Sequence, residues 1–371
     1  MGYQTRKEIF VKIEEKRQKP LITYVTSIRP NLSGQMAGDS IEHIIEQIQL
    51  IPLEQEEIDF LLISNGGDPI TALRIISILR ERFKKISVLL PNVAYSAATI
   101  LSLGADEIIM HPYSNLGPVD PQLTVSRQAD NGQASKLEFS SEDIRNYIDF
   151  VKSDVGITDQ NHLISAFNAL AKEVGPLPIG SAKRSQQLSL SLSIRMLEMH
   201  MEDKSKASSI AKALNTAYYH HGYAVSRSEA QRIGLNIIYP DTELENLMWD
   251  VWKDYSQEMQ CDKEFNIIAT IMAHPEAQTW LNQINIVNLP VNTPPQVAQN
   301  IIATVAQNSA TVTPHSPIRV DELIAAIESS RKALAVYTSF NIVYWRDANM
   351  ALAFNATAYS SGWETNREVT I

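Results

Sequence analysis

Leu61-Leu62-Ile63-Ser64-Asn65-Gly66-Gly67-Asp68-Pro69 is the stretch whose reading decides the fold. An apolar run ends at two adjacent glycines, and a proline follows at a position suited to a helix start. Ile58 to Ile63 is apolar enough for a strand buried on both faces. Ile70 to Phe83 carries helical periodicity. The next strand is expected at Ile86–Leu90, ahead of Pro91-Asn92-Val93-Ala94-Tyr95-Ser96-Ala97-Ala98. A helix then runs from Ser96 to Leu103 and is closed by Gly104. Glu107–Met110 gives another short strand, before His111-Pro112-Tyr113-Ser114-Asn115-Leu116-Gly117-Pro118. Strand, helix, strand, helix, strand implies crossover units and a largely parallel sheet in an α/β fold.

Working outward, the charged segment Lys12–Lys19 ends at Pro20, and residues 1–19 read as an N-terminal arm. Leu21–Thr26 is strand-like through its β-branched and aromatic content. Asp39 is expected to cap a helix with apolar positions at Ile41, Ile44, Ile45 and Ile48. Residues 122–140 read as a long loop or hairpin, with helices at about 141–153, 159–173 and 181–220. Ser226 opens a short helix, and Leu235–Ile238 is the expected last strand of a core spanning 20–240. Beyond 241 a mainly helical module is expected. It comprises helices near 242–258 and 262–273, a strand at Ile284–Leu289, a linker at Thr311–Ile318, a helix over Asp321–Ala333 and an apolar segment from Leu334 to Tyr344.

The 371 residues carry 42 acidic and 32 basic side chains, a formal net charge of -10. That balance argues against electrostatic capture of nucleic acid, and the basic residues Lys183, Arg184, Lys204 and Lys206 read as solvated helix surface. One cysteine, Cys261, excludes an intramolecular disulfide or a tetrathiolate metal site, and its polar neighbours suggest a surface position. The eight histidines form no metal-binding spacing, so no metal and no cofactor are expected. No apolar run reaches the ~18 residues needed to cross a bilayer, and no signal-peptide core is visible, so the expected location is the cytoplasm.

Two chemistries compete for Ser96. A serine at a helix start can cap the orphan N–H groups, or it can act as a nucleophile beside N–H donors and the helix dipole. The small Ala94, Ala97 and Ala98 permit close backbone approach on either account. Gly66-Gly67 tips the balance, because adjacent glycines after a strand can expose their N–H groups as an anion nest. Gly67 N–H with Ala97 N–H is the donor pair an oxyanion hole would need. Neither nucleotide-binding glycine pattern, GxGxxG or GxxxxGK[ST], occurs.

Across residues 20–240 the chain resembles the ClpP/crotonase superfamily, in its signal-peptide-peptidase-like branch, nearest the serine dehydrogenase proteinase family. Four ordered motifs carry the resemblance: Ser64-Asn65-Gly66-Gly67, Ala94-Tyr95-Ser96-Ala97-Ala98-Thr99, Asn115-Leu116-Gly117-Pro118-Val119-Asp120-Pro121-Gln122, and His221-Gly222-Tyr223 with Glu229-Ala230-Gln231-Arg232-Ile233-Gly234-Leu235. The resemblance implies stacked strand–helix units, Ser96 as nucleophile, and Gly67 with Ala97 as oxyanion donors. It also implies a homo-oligomer and an extended peptide beside the glycine loop, with Gly66, Asp68, Tyr95, Gly117 and Pro118 as candidate binding residues. The implied activity is an ATP-independent serine peptidase acting on peptides or unfolded proteins.

The general base stays open at this stage. Lys136, forty positions after Ser96, matches the lysine of membrane-associated relatives by spacing. Anchoring on Ile148–Lys152 instead places that lysine near Ser141–Asp143, where none occurs. His111, with Asp120 as an orienting residue, is the alternative. Two other function classes remain: a catalytically weak interaction or scaffold protein that recruits a partner through its C-terminal module, and a crotonase-like acyl-thioester enzyme.

Overall fold

The computed structural model describes residues 2–128, 134–216, 218, 222–281, 287–309, 316–347 and 351–365. The arm is a helix, α1 (Tyr3–Arg17), followed by β1 (Leu21–Thr26), α2 (Ser40–Gln49), β2 (Glu57–Ile63), α3 (Pro69–Arg82), β3 (Lys85–Leu90), β4 (Val93–Ala94), α4 (Ala97–Leu103), β5 (Glu107–Met110) and β6 (Asn115–Leu116). Residues 122–140 form a hairpin of β7 (Gln122–Gln128) and β8 (Ala134–Ser140). Next come α5 (Ser141–Ser153), α6 (Gln160–Val174), α7 (Pro176–Glu198), α8 (Lys204–Thr216), β9 (Val225–Ser226), α9 (Arg227–Arg232) and β10 (Ile237–Ile238). The C-terminal part holds α10 (Thr242–Glu258), α11 (Ile267–Ala273), α12 (Pro275–Leu281), α13 (Pro295–Ser309), β11 (Ile318–Glu328), β12 (Ala333–Arg346) and β13 (Leu352–Thr365).

Eight strands form one sheet in the order β10-β5-β3-β2-β1-β11-β12-β13. The pairings from β10 to β1 are parallel, as the crossover pattern requires, and those from β1 to β13 are antiparallel. Side chains alternate between the faces of the parallel strands. Ile22, Tyr24, Phe60, Leu62, Val88 and Leu90 pack under α2, α3, α4, α7 and α8. Leu21, Val25, Leu61, Ile63, Leu89 and Ile109 pack under α1 and α10. Both faces are therefore covered, which explains why these strands read as continuous apolar runs. The architecture is the expected α/β, ClpP/crotonase-like core of stacked strand–helix units, with C-terminal strands and helices added.

The helix expected over Asp321–Ala333 is corrected: residues 318–328 are the strand β11. Its alanines and Leu323 suit either state. The exposed edge of β1 decides, with Thr23 to Thr26 paired to Glu328 to Ala325 and Ser27 N–H donating to the Ile324 carbonyl at 2.7 Å. The apolar segment after it is β12, so the described part of the C-terminal module is helical in α10 to α13 and extended in β11 to β13. Half of the strand expected at 284–289 lies outside the described residues, and its described half, 287–289, is not strand; most of the linker at 311–318 also lies outside them. Asp39 precedes α2 but does not cap it with its side chain; its carboxylate accepts the Trp363 Nε1–H at 3.0 Å instead. Cys261 is half-buried rather than on the surface, and burial raises its thiol pKa.

A buried guanidinium joins the two ends of the chain. Arg6 Nε and Nη2 each donate to Glu328 at 2.8 Å, and Nη1 donates to Asp254 at 2.6 Å and to Glu258. The Arg6 guanidinium also lies 4.1 Å from the Tyr255 ring centre, and the Tyr255 hydroxyl donates to Glu328 at 2.8 Å. Removing one partner of such a network leaves buried charge unpaired. Arg6→Met is expected to lower unfolding stability by ~3–5 kcal/mol in urea titrations near neutral pH; a loss under about 1 kcal/mol would show that the network is neutral to stability.

At the start of β5, burial pushes the Glu107 carboxyl up, but hydrogen bonds from Ser87, Lys85 and Arg17 outweigh it and hold its pKa at about 2. A carboxyl depressed in the folded state stabilises above its unfolded value, and the contribution fades as pH falls through the folded one. Glu107→Gln is therefore expected to flatten the loss of stability between about pH 4.5 and 2, measured by urea unfolding across that range.

Candidate active site

The C-terminal ends of β2 and β3 place the glycine loop and the serine turn side by side. Ser64 N–H donates to the Val93 carbonyl at 3.0 Å, and Tyr95 N–H to the Ser64 carbonyl at 2.9 Å. Beneath the loop, the Ser64 hydroxyl is buried, accepts from Thr26 Oγ1 at 2.8 Å and accepts from Gly66 N–H at 3.0 Å. Ser64 and Thr26 thus fix the loop, although only the glycines looked functional in the sequence.

The glycines are required by space as well as by backbone angle. Gly66 has φ 104°, and a Cβ there would lie 2.7 Å from the Tyr95 carbonyl oxygen and 2.8 Å from Ser96 Cβ. Gly67 has φ 146°, and a Cβ there would lie 2.3 Å from the Met36 carbonyl oxygen. Met36 pairs with the loop as a short parallel bridge, its N–H donating to the Gly66 carbonyl at 2.7 Å and its carbonyl accepting from Asp68 N–H at 2.8 Å. Because these bonds use residues 66 and 68, backbone alternation turns the Gly67 N–H and carbonyl to the opposite edge. That edge is the one an incoming extended chain could use.

Ser96 has φ 52° and ψ −118°, an uncommon conformation for a residue with a Cβ. It occupies the cap position of α4, yet its side chain makes no capping hydrogen bond. The capping alternative is therefore not the role adopted here. Ser96 is half-buried, and its Oγ has no hydrogen-bond partner among the described residues. A strained strand-to-helix turn that presents a free hydroxyl is the geometry of a nucleophile elbow. Ala97, buried, opens α4, so its N–H is one of the unpaired donors of the helix start.

Behind the elbow, the small sheet of β4, β6 and β9 holds the following loop in place. The buried Thr99 hydroxyl lies 2.7 Å from the Ala94 carbonyl and 3.0 Å from that of Gly117, and it accepts from Gly117 N–H at 3.1 Å. Gly117 packs directly on the Tyr95 ring, where a Cβ would lie 2.6 Å from Cδ1. Burial raises the Tyr95 pKa, so its phenol stays neutral. Pro118 is buried with Gly117. The main chain of Val119 is held by the Ser189 hydroxyl on its carbonyl and by the Leu214 carbonyl on its N–H.

Asp68 caps α3, with one carboxylate oxygen accepting from Ile70 N–H at 3.0 Å and the other from Thr71 N–H and Oγ1 at 3.1 and 2.8 Å. His111 stacks on Trp249 of α10 with ring centres 4.9 Å apart, on the sheet face opposite α4. Its Nδ1 accepts from Tyr113 N–H at 3.2 Å, and burial lowers its pKa. Asp120 is buried, 3.4 Å from Gln122 Nε2, and with Glu138 and Tyr218 it borders a cavity of about 430 Å³. Lys136 is exposed on β8, in register with Ser126. No hydrogen bond joins Ser96 to His111, Asp120 or Lys136 among the described residues. The structure brings Gly66, Gly67, Tyr95, Ser96, Ala97 and Gly117 together. His221, part of the late motif, lies outside the described residues.

This is the fold of the ClpP/crotonase class. Within that class, residues 2–138 match the family model described as ClpP-like SDH-type serine proteinase. Two proteins of Methanocaldococcus jannaschii, both named as uncharacterized, are 25% identical over 221 residues and 26% identical over 226. The matches cover 59% of this chain and 63% and 65% of those proteins, so the chain spans a little under two thirds of their length. Among solved structures, a variant of the 1510-N membrane-bound stomatin-specific protease is 16% identical, with a TM-score of 0.33 over 58% of this chain and 80% of that one. Among the described residues no helix is long and apolar enough to cross a membrane.

Gly67→Ala tests the loop directly, because the added methyl would meet Met36 backbone and not a movable side chain. The variant is expected to lose ~2 kcal/mol or more in urea unfolding. An unchanged midpoint would mean that Met36 can withdraw from the loop.

Proposed function

We propose that the chain is a serine peptidase that cleaves peptides or unfolded proteins without ATP, through an acyl-enzyme on Ser96. The observation that supports this reading most strongly is the strained, uncapped Ser96 beside a glycine loop whose outward edge carries the Gly67 N–H. The Ser96 oxygen attacks the scissile carbonyl carbon while its proton passes to a base. The Gly67 and Ala97 N–H groups receive the developing oxyanion. Collapse breaks the C–N bond, and the base returns its proton to the leaving amine. Water then attacks the ester, and the acid product leaves with the serine regenerated.

Lys136 is assigned the role of base. An amine must be neutral to accept a proton. Asp120, three residues beyond Gly117, is assigned to orienting groups at the near end of the hairpin. Extended substrate backbone pairs along the free edge of Gly67, with Tyr95 against its side chains.

Intact-mass labelling by a fluorophosphonate tests the reading with wild type, Ser96→Ala and Lys136→Ala of matching fold and oligomeric size. Wild type is expected to gain one adduct on Ser96, Ser96→Ala none, and Lys136→Ala at least 100-fold slower labelling, on the ~10²–10⁴ scale of general-base catalysis. Wild-type speed in Lys136→Ala would keep the nucleophile and discard that base. No adduct on Ser96 with probes of several sizes would favour an interaction protein built on a peptidase frame.

A further inference from the structure

We infer that the outer edge of β13 is a self-association surface, where the same strand of a second copy pairs antiparallel across a two-fold axis. The inference is independent of the peptidase reading and concerns the part of the chain beyond residue 138, which the family match leaves uncovered.

The two edges of the main sheet are built differently. One ends in β10, only two residues long and followed by Pro240, which gives a second chain little to pair with. The other ends in β13, a strand of 14 residues whose inner side pairs with β12 from Leu352 to Ser360 and from Trp363 to Thr365, with a bulge at Ser361-Gly362 between them. Trp363 anchors the far end, with its ring 5.2 Å from that of His43 and its indole N–H on Asp39. No described strand pairs with the outer side. A strand of this length presents a row of N–H and carbonyl groups, and monomers usually blunt such an edge with proline, lysine, an inward charge, a bulge or brevity; the bulge of β13 lies near its far end and leaves Leu352–Ser360 regular. β13 contains no proline and no lysine, and its one charged residue is Glu364.

Charge and position favour a second copy as the occupant. Each chain carries a formal charge of -10, which opposes close approach of two copies over most of their surface. No charged side chain occurs from 348 through 363, so this edge is where two copies meet at little electrostatic cost. A two-fold axis normal to the sheet pairs residues that share a face. In a register centred on the strand, Tyr359, 59% exposed, meets the partner's Tyr359 or Thr357, and Glu364 falls near the partner's Leu352–Phe354 stretch, away from its own counterpart. A substrate peptide fits this edge less well. β13 lies four strand positions from β2, about 19 Å at ~4.8 Å per step, too far for a chain paired there to be presented to Ser96.

Sedimentation velocity at micromolar concentration tests the inference with wild type, Thr357→Lys/Tyr359→Lys and Thr357→Glu/Tyr359→Glu, all at exposed positions. Each double variant is expected to have half the wild-type mass with an unchanged circular dichroism spectrum, because like charges then face each other across the axis. Mixing the two variants is expected to restore the wild-type mass, which an unfolded variant could not do. A wild type that sediments as a single chain would overturn the inference, as would double variants that keep the full wild-type mass. Neither readout depends on peptidase activity.

Discussion

Everything at the site depends on one backbone contact. The Gly66-Gly67 segment lies between the main chain of Met36 and the turn carrying Ser96, with no room for a Cβ on either glycine. Its position is set from three sides. Met36 occupies one edge, the Ser64 hydroxyl holds the loop from below, and the Tyr95–Ser96 turn presses on Gly66. The Gly67 N–H is left on the remaining side, next to a serine whose own backbone is strained. A strained serine without a bounding loop would be a local cost with no chemical use. The two features have meaning only as a pair.

The wider fold keeps that contact rigid. Loop and turn grow from the same ends of adjacent parallel strands, and both faces of those strands are covered. α10 and β11 contribute to this from far along the sequence, closing one face and one edge. Arg6 ties the first helix to both through Asp254, Glu258 and Glu328. Such a network makes the first and last thirds of the chain depend on one another. It adds specificity of docking more surely than net stability, since the desolvation of four charged groups offsets much of their attraction.

The crossover core, the glycine loop and the serine elbow were legible because each rests on local pattern. Apolar runs of strand length, glycine pairs and helix starts are written in neighbouring residues. Ser64, Thr26 and Thr99 were not recognised as supports, because a small hydroxyl residue announces nothing until its partner from another strand is in place. The role of Met36 was equally silent, since it acts through its main chain. Asp39 looked like a helix cap and instead receives an indole hydrogen bond from Trp363, more than three hundred residues later. The stacking of His111 on Trp249 from α10 was likewise invisible in the local sequence.

By itself, the sequence determined the alternation of strand and helix, the absence of side chains at positions 66 and 67, and the placement of a serine at a helix start. These follow from chain geometry within a few residues. Tertiary structure alone decided that residues 318–328 extend the sheet, because an open β1 edge outweighs a weak helical preference. It also decided which glycine N–H faces outward, because the other edge is already bonded to Met36. Distances between groups far apart in sequence are products of packing, and it is packing that sets His111 against Trp249 of α10.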